Sequence, residues 1–324
     1  MAIAVAVAIE EFERELLEIH AAKEHAPSTL RQIRQVLREM REVGVTTTVG
    51  LTSSAIARWK RAHPDRSPVT TASHLRCLRA ICARANKQGL LAVNPFDVDP
   101  IGEWVRADDR TARPPRSWSI TPEQVRLVLG RADSEAQDGP WAARRLRAYL
   151  WTLLMLGARP GEIQRLEVRD VDTGQRTLTI RAKEVPVRGK PDRWWRPKTV
   201  GSAATLPLGN RLADVLAGWI PETGCRWLFP GLKREGPWTT GGPGVRPLDQ
   251  VRALGDRAGV ALWQKSGRKT VGTIAKGAGL TGLERQGLFR HADEATGDLY
   301  DERSVEALRG AAAKVERYCL GEAV

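Results

Sequence analysis

Lys265-Ser-Gly-Arg268, His291 and Tyr300 stand within one stretch of the chain, and their types suit one kind of chemistry. Lys265 and Arg268 are three apart, so on a helix they share a face. His291 follows Arg268 by 23 positions, and Tyr300 follows His291 by nine. A tyrosine hydroxyl can attack a phosphodiester while cationic donors hold the phosphate oxygens and an imidazole adds a further hydrogen bond. Taken singly, each residue has a plainer reading: an arginine on a solvated helix face, a structural histidine, a tyrosine in a core or interface. The combination and its spacing carry the chemical reading.

The charge balance suits such a substrate. The 324 residues hold 51 Lys+Arg against 38 Asp+Glu, a formal charge of +13, which points to a polyanionic partner and most simply to nucleic acid. An arginine-rich protein with no such partner is the alternative. A chain of this length can build two domains, each with its own core. Hydrophobic content of 42 % with 27 % charged residues excludes a disordered or membrane-embedded class. Cys77, Cys82, Cys225 and Cys319 form no C-x-x-C pair and share no metal-ligand spacing with the histidines, so they read as reduced thiols. The apolar start, Met1 to Ile9, is too short to span a membrane and is followed by acidic residues rather than built like a signal peptide. A cytoplasmic, nucleoid-associated protein is the expectation.

The elements that must position the site follow from periodicity. Residues 10–100 read as four amphipathic helices. Phe12, Leu16, Leu17 and Ile19 mark the first; Ser28 caps a second carrying Leu30, Ile33, Val36, Leu37 and Met40. Thr52 or Ser53 caps a third with Ile56 and Trp59 inward, and a fourth runs from Thr70 to about Lys87. The fourth buries Leu75, Leu78, Ile81 and Cys82 and turns Arg76, Arg79 and Arg84 the other way. The charged, proline-bearing stretch around Pro114-Pro115 reads as an extended linker containing Arg110, Arg113 and Arg116. Beyond it Thr121-Pro-Glu-Gln is a helix start, and a long apolar helix spans about Trp141 to Met155. Strands at 177–180 and 204–208 belong to a small antiparallel sheet, with a polar stretch between them. Helices follow at Asn210–Trp219 and from Ser304 to about Leu320, and residues 230–247 read as a Gly- and Pro-rich loop. Whether the last helix packs on its own domain or on a neighbour stays open.

The chain resembles the tyrosine recombinase (phage integrase) family over nearly its whole length, strongly from residue 145 to 300 and only in architecture before 100. That family's pattern is a His or Lys, two intervening residues and an Arg, then a Leu-Gly-His about twenty residues on, then Tyr nine further. Lys265, Arg268, His291 and Tyr300 match it, with Thr296 before the tyrosine. Gly157-Ala-Arg159-Pro-Gly-Glu162-Ile-x-x-Leu166 resembles the first arginine box, and Lys198 matches the hairpin lysine upstream of Leu206-Pro-Leu, with Lys190 and Lys183 as rivals. Three positions depart: Lys265 where His is commoner, Lys269 where a His is frequent, and Arg290 where Gly precedes the histidine. The last bears on backbone conformation, because glycine adopts positive φ that arginine resists.

The resemblance implies a mainly α fold with a small antiparallel β-sheet. A helical core-binding domain (1–103), a linker (104–119) and a mixed α+β catalytic domain (120–324) are its expected parts. It implies Tyr300 as nucleophile, Arg159 and Arg268 on the phosphate, Lys198 as general acid, and Lys265 and His291 as further donors, with Glu162 orienting Arg159. Arg76, Arg79, Arg84, Arg110, Arg113, Arg116 and Arg290 are the expected DNA-binding arginines. Double-stranded recombination sites are the expected partner, and a tetramer on DNA the expected assembly. No carboxylate cluster is spaced for Mg²⁺, and no cofactor is expected. A type IB topoisomerase-like enzyme and a non-catalytic DNA-binding protein of the same fold are the competing readings.

Overall fold

The computed structural model describes residues 27–46, 48–105, 119–184, 194–195, 203–239, 245–290 and 304–322. The chain divides into two compact units between Arg116 and Ser117. The expected helix at Phe12–Ile19 lies outside the described residues.

The first unit is helical. Helix α1 (Pro27–Glu42) begins at Pro27, a residue before the expected cap, and puts Ile33, Val36, Leu37 and Met40 in the core. Helix α2 (Ser53–Arg61) starts where the Thr52 hydroxyl accepts the Ala55 N–H, and it buries Ile56 and Trp59. Helix α3 (Pro68–Lys87) starts two residues earlier than its periodicity suggests, because Ser67 caps it and Pro68 presets its first turn. Its buried stripe is the expected one of Leu75, Leu78, Ile81 and Cys82. Each such aliphatic side chain withdrawn from water contributes about 1.5–3 kcal/mol. Two single-turn helices, α4 (Pro95–Val98) and α5 (Ile101–Trp104), were not foreseen, being too short for a periodic pattern. Val105, just beyond α5, is buried in this core, so the unit reaches past the expected boundary at 103.

In the second unit α6 (Pro122–Gln137) opens with a capping box, Thr121 and Gln124 each bonding the other's backbone N–H. It packs along α7 (Trp141–Met155), whose Leu146, Tyr149, Leu150, Leu153 and Leu154 are all buried. The chain then forms a single turn, α8 (Pro160–Ile163), and strands β1 (Val171–Asp172) and β2 (Thr177–Ile180). Short strands β3 (Lys183–Glu184) and β4 (Trp194–Trp195) pair with each other, a ribbon inside the polar stretch between the two expected strands. Strand β5 (Ala204–Pro207) returns antiparallel to β2, with Leu178 opposite Leu206, giving the sheet order β1-β2-β5.

Further helices of the unit follow: α9 (Asn210–Trp219), α10 (Pro247–Arg257), α11 (Ser266–Gly277) and α12 (Gly282–Phe289). Helix α10 was not foreseen. Its stripe is little more than Val251 and Leu254 behind a Pro-rich approach. The last helix, α13 (Val305–Leu320), packs within its own unit, burying Leu308, Ala311, Val315 and Cys319. Its Glu316 carboxylate accepts the backbone N–H groups of Arg211 and Leu212, both at 3.0 Å, and so closes the start of α9. Among the described residues no helix is long and apolar enough to cross a membrane.

Candidate active site

The arginine turn begins where α7 ends. Gly157 has φ +66°, and a Cβ there would press on the Phe289 ring and on Val271. Glycine is therefore required twice over, by conformation and by space. Arg159 then caps α8 with extended backbone, and Pro160 fixes the first helical φ. The Arg159 N–H donates to Glu162 Oε2 and its Nη1 to Oε1, each at 2.8 Å. Glu162 is 2 % exposed and Arg159 31 %, so a buried carboxylate holds an arginine that still reaches solvent.

Helix α11 brings the second arginine to the same place. Gly267 sits against the Leu153 carbonyl with no room for a Cβ, which lets the first turn of α11 touch α7. Ser266 and Thr270 are buried there, and the Thr270 hydroxyl accepts the Ile120 N–H at 3.0 Å. Arg268 is half-buried and donates to the Gly157 carbonyl at 3.0 Å and to the Phe289 carbonyl at 2.6 Å. Its guanidinium thus ties the arginine turn to the end of α12. Burial, then the like charges of Arg159 and Arg290, draws its pKa down to about 10, so it remains a cation at neutral pH. Lys265 is the residue before α11 and is exposed, whereas Arg268 points inward.

Arg290 requires a correction. Expected to face DNA, it is buried, and its Nη2 donates to Glu162 Oε2 at 2.8 Å, with both side chains 2 % exposed. A carboxylate sealed from water must be paired to stay charged, and Arg290 supplies a cation from inside. Burial pushes the Glu162 pKa up; the charge of Arg290 and the bonds from Arg159 outweigh that and hold it below the usual carboxylate value. The backbone of Arg290 adopts φ 54°, ψ 44°, the left-handed conformation for which glycine is favoured. For a residue with a Cβ this costs on the order of 1–3 kcal/mol.

Lys198, Lys190, His291, Thr296, Tyr300, Arg110, Arg113 and Arg116 lie outside the described residues. Lys183, the third lysine considered for the hairpin, is 2 % exposed and paired with Asp170. That pairing sets it inside the protein rather than on a solvent-facing hairpin. Around it Arg181 reaches both Asp170 and Glu167, and Arg169 and Arg226 also bond Glu167. In the first unit Arg76 and Arg79 are exposed on α3, while Arg84 is half-buried.

Sequence reasoning missed the buried polar supports. The Tyr149 hydroxyl accepts from Gln264 Nε2 at 2.5 Å, which anchors the residue next to Lys265. Nothing in the local pattern distinguishes Tyr149 from a core aromatic. Gly267 did leave a signal, since a glycine between two functional side chains in a helix costs stability unless a close approach needs it.

No family model matches the chain. The tyrosine recombinase XerC of Mycobacterium bovis is 27 % identical over 174 residues, 53 % of this chain and 50 % of that protein. XerD of Mycobacterium tuberculosis is 27 % identical over 210 residues, 56 % of this chain and 65 % of that protein. The chain thus spans half to two thirds of the length of these curated relatives. Among solved structures, the Tn1549 transposon integrase in complex with a circular intermediate DNA superposes with a TM-score of 0.68 at 17 % identity, covering 90 % of this chain and 92 % of that one. A lambda integrase tetramer bound to a Holliday junction gives 0.65 at 13 %, covering 91 % and 80 %. In sequence the chain is similar to tyrosine recombinases. Its fold, mainly helical with a three-stranded antiparallel sheet, is that of the tyrosine recombinase integrases.

Proposed function

We propose that this chain is a site-specific DNA recombinase or integrase that cleaves and rejoins DNA through a 3′-phosphotyrosine at Tyr300. One observation carries the reading. Two arginines from distant parts of the sequence, Arg159 and Arg268, are held by buried partners at one site, and His291 and Tyr300 follow the end of α12 in the sequence. Planar, permanently charged guanidinium groups suit the non-bridging oxygens of a phosphodiester under attack. The Tyr300 hydroxyl gives up its proton to solvent as its oxygen forms the new bond to phosphorus, and the bond to the 5′ oxygen breaks. Lys198 delivers a proton to that oxygen, and Lys265 and His291 donate to the scissile phosphate. Attack by a 5′ hydroxyl on the phosphotyrosine reverses the step and rejoins a strand. The bond energy is conserved, so the reaction needs no ATP, and the arginine and lysine cations, rather than a metal, balance the charge that builds on the phosphate.

Exposed Arg76 and Arg79 on α3, with Arg84, Arg110, Arg113 and Arg116, are the proposed contacts to the phosphate backbone. Exchange of two duplexes needs four tyrosines, hence a tetramer on DNA. The reading rests on the resemblance, the fold and the arginine geometry together.

The test is capture of a covalent protein–DNA adduct on a nicked duplex built from inverted repeats flanking the source gene, without metal, with Tyr300→Phe as control. An adduct that survives denaturant, ignores chelator and vanishes in the variant is the expected result. Retarded DNA with no adduct would favour a binding protein of the same fold. An adduct that persists in Tyr300→Phe would put the nucleophile elsewhere.

A further inference from the structure

Arg290 stands in a conformation that its side chain explains better than its backbone does. Among the described residues three non-glycine positions have positive φ, Arg176, Arg234 and Arg290. The first two lie exposed in turns. Arg290 is buried, and it follows α12 directly, at the point where the chain enters His291. Its Nη2 and the Arg159 N–H donate to the same oxygen, Glu162 Oε2, both at 2.8 Å. The other oxygen, Oε1, accepts from Arg159 Nη1. One residue earlier, the Phe289 carbonyl accepts from Arg268 at 2.6 Å. The turn at 289–290 is therefore tied to both phosphate-binding candidates, to Arg268 through its backbone and to Arg159 through Glu162.

We infer that Arg290 is a positioning residue: its guanidinium shares the Glu162 carboxylate with Arg159, and so sets where the Arg159 guanidinium stands. This rests on the recombinase reading above. Two consequences follow from the geometry. With Arg290 in place, Glu162 is held from inside, and the Arg159 guanidinium keeps its partly exposed position, 31 % accessible. Without it, the buried carboxylate has Arg159 as its nearest remaining hydrogen-bonded cation, which draws that guanidinium inward. The inward pair also holds the left-handed turn that ends α12, a task glycine would perform by conformation alone.

The experiment compares wild type with Arg290→Met, Arg290→Gly and Arg290→Lys in the full chain. It measures the single-turnover rate of adduct formation at saturating nicked DNA, the DNA affinity, and the rate between about pH 5 and 8. Arg290→Met and Arg290→Gly should each lose about 10- to 100-fold in rate, the scale of a misplaced catalytic group. Affinity, set by many phosphate contacts, should stay within a few-fold, and Arg290→Lys should recover part of the rate. Removing Arg290 also lets the Glu162 carboxyl, with Arg159 and Arg268 its remaining facing cations, take a proton at higher pH. The acid limb of the rate profile should therefore move upward in Arg290→Met.

A wild-type rate in both Arg290→Met and Arg290→Gly overturns the inference. So does a loss that Arg290→Lys does not relieve and that leaves the pH profile unmoved, because that is a folding effect. If Arg290→Met fails to fold, Arg290→Gly carries the same test with the backbone strain removed. No adduct from wild type on any repeat would instead overturn the recombinase reading, and the inference with it.

Discussion

Two buried carboxylates, Glu39 in the helical unit and Glu162 in the second unit, are each surrounded by arginine, and they do different work. Glu39 takes both oxygens' worth of Arg66, at 2.7 and 2.8 Å, with the Trp59 indole N–H at 2.9 Å. Arg66 is itself covered, 13 % exposed, lies over the Trp59 ring and meets His74 Nδ1. Every member of this cluster faces another member. Glu162 also satisfies both oxygens, but one of its partners, Arg159, remains 31 % exposed. A closed cluster specifies a core; a cluster with one cation still reaching solvent has the geometry that the proposed phosphate contact at Arg159 requires. Burial alone would not separate them, since both carboxylates are nearly sealed.

The largest way to break this comparison is Glu39→Ala. It leaves the Arg66 guanidinium buried without its carboxylate, which costs about 3–5 kcal/mol for a broken buried pair. Urea unfolding followed by hydrogen exchange in peptides from α1 to α3 should show that loss in the first unit. Peptides from α7 and α11 should keep their protection. If the two sets lose protection equally, the closed cluster is not the private support of its unit.

A smaller effect sharpens the line between holding a fold and serving a site. Lys183 and Asp170 form a closed buried pair in the second unit, with Arg181 beside it. Lys183→Met should cost about 1–3 kcal/mol, the desolvation penalty of a partner left short of one bond, because Arg181 still reaches Asp170. The adduct-forming rate per folded molecule should change little, whereas Lys198→Met should slow it strongly. Equal rate losses in the two variants would mean that Lys183 leaves its pocket to act as the acid.

What the sequence made legible was local. Lys265 to Arg268 and Gly157 to Leu166 are short patterns whose residues sit within a turn or two of each other. Caps such as Thr52 and Thr121 announce helices within four residues. The inward turn of Arg290 was not legible, because its partner lies 128 positions away and only the packing of α12 on the arginine turn joins them. Read locally, an arginine beside a histidine in a basic protein faces solvent. The inward pairing of Lys183 was hidden for the same reason, its carboxylate being 13 positions back across β1 and β2. The short helices α4 and α5 and the β3–β4 ribbon have too few residues to show a period at all.

The smallest expected effect separates the units by acid sensitivity. In the first unit, burial and the neighbouring Arg66 hold His74 below the usual histidine value of 6.5, with His63 acting in the same sense and Glu39 against it. Burial raises Glu39, but the bonds from Arg66, Trp59 and Gln35 outweigh it and leave the carboxyl below its usual 4.5. A group whose pKa is lower in the folded state contributes stability that is present above its unfolded value and lost as pH falls through the folded one. For His74 that loss begins near pH 6.5, and Glu39 adds to it below about 4.5. The depressed carboxyls of the second unit, among them Glu162, Glu167 and Glu135, the last at about 2, act only below about 4.5. Between pH 6.5 and 4.5, hydrogen exchange should therefore rise in α2 and α3 while α7 and α11 hold. His74→Gln should flatten that rise. Parallel loss in both units, or an unchanged slope in the variant, would remove His74 as the cause and leave Glu39 and Glu162 alike in acid as well as in burial.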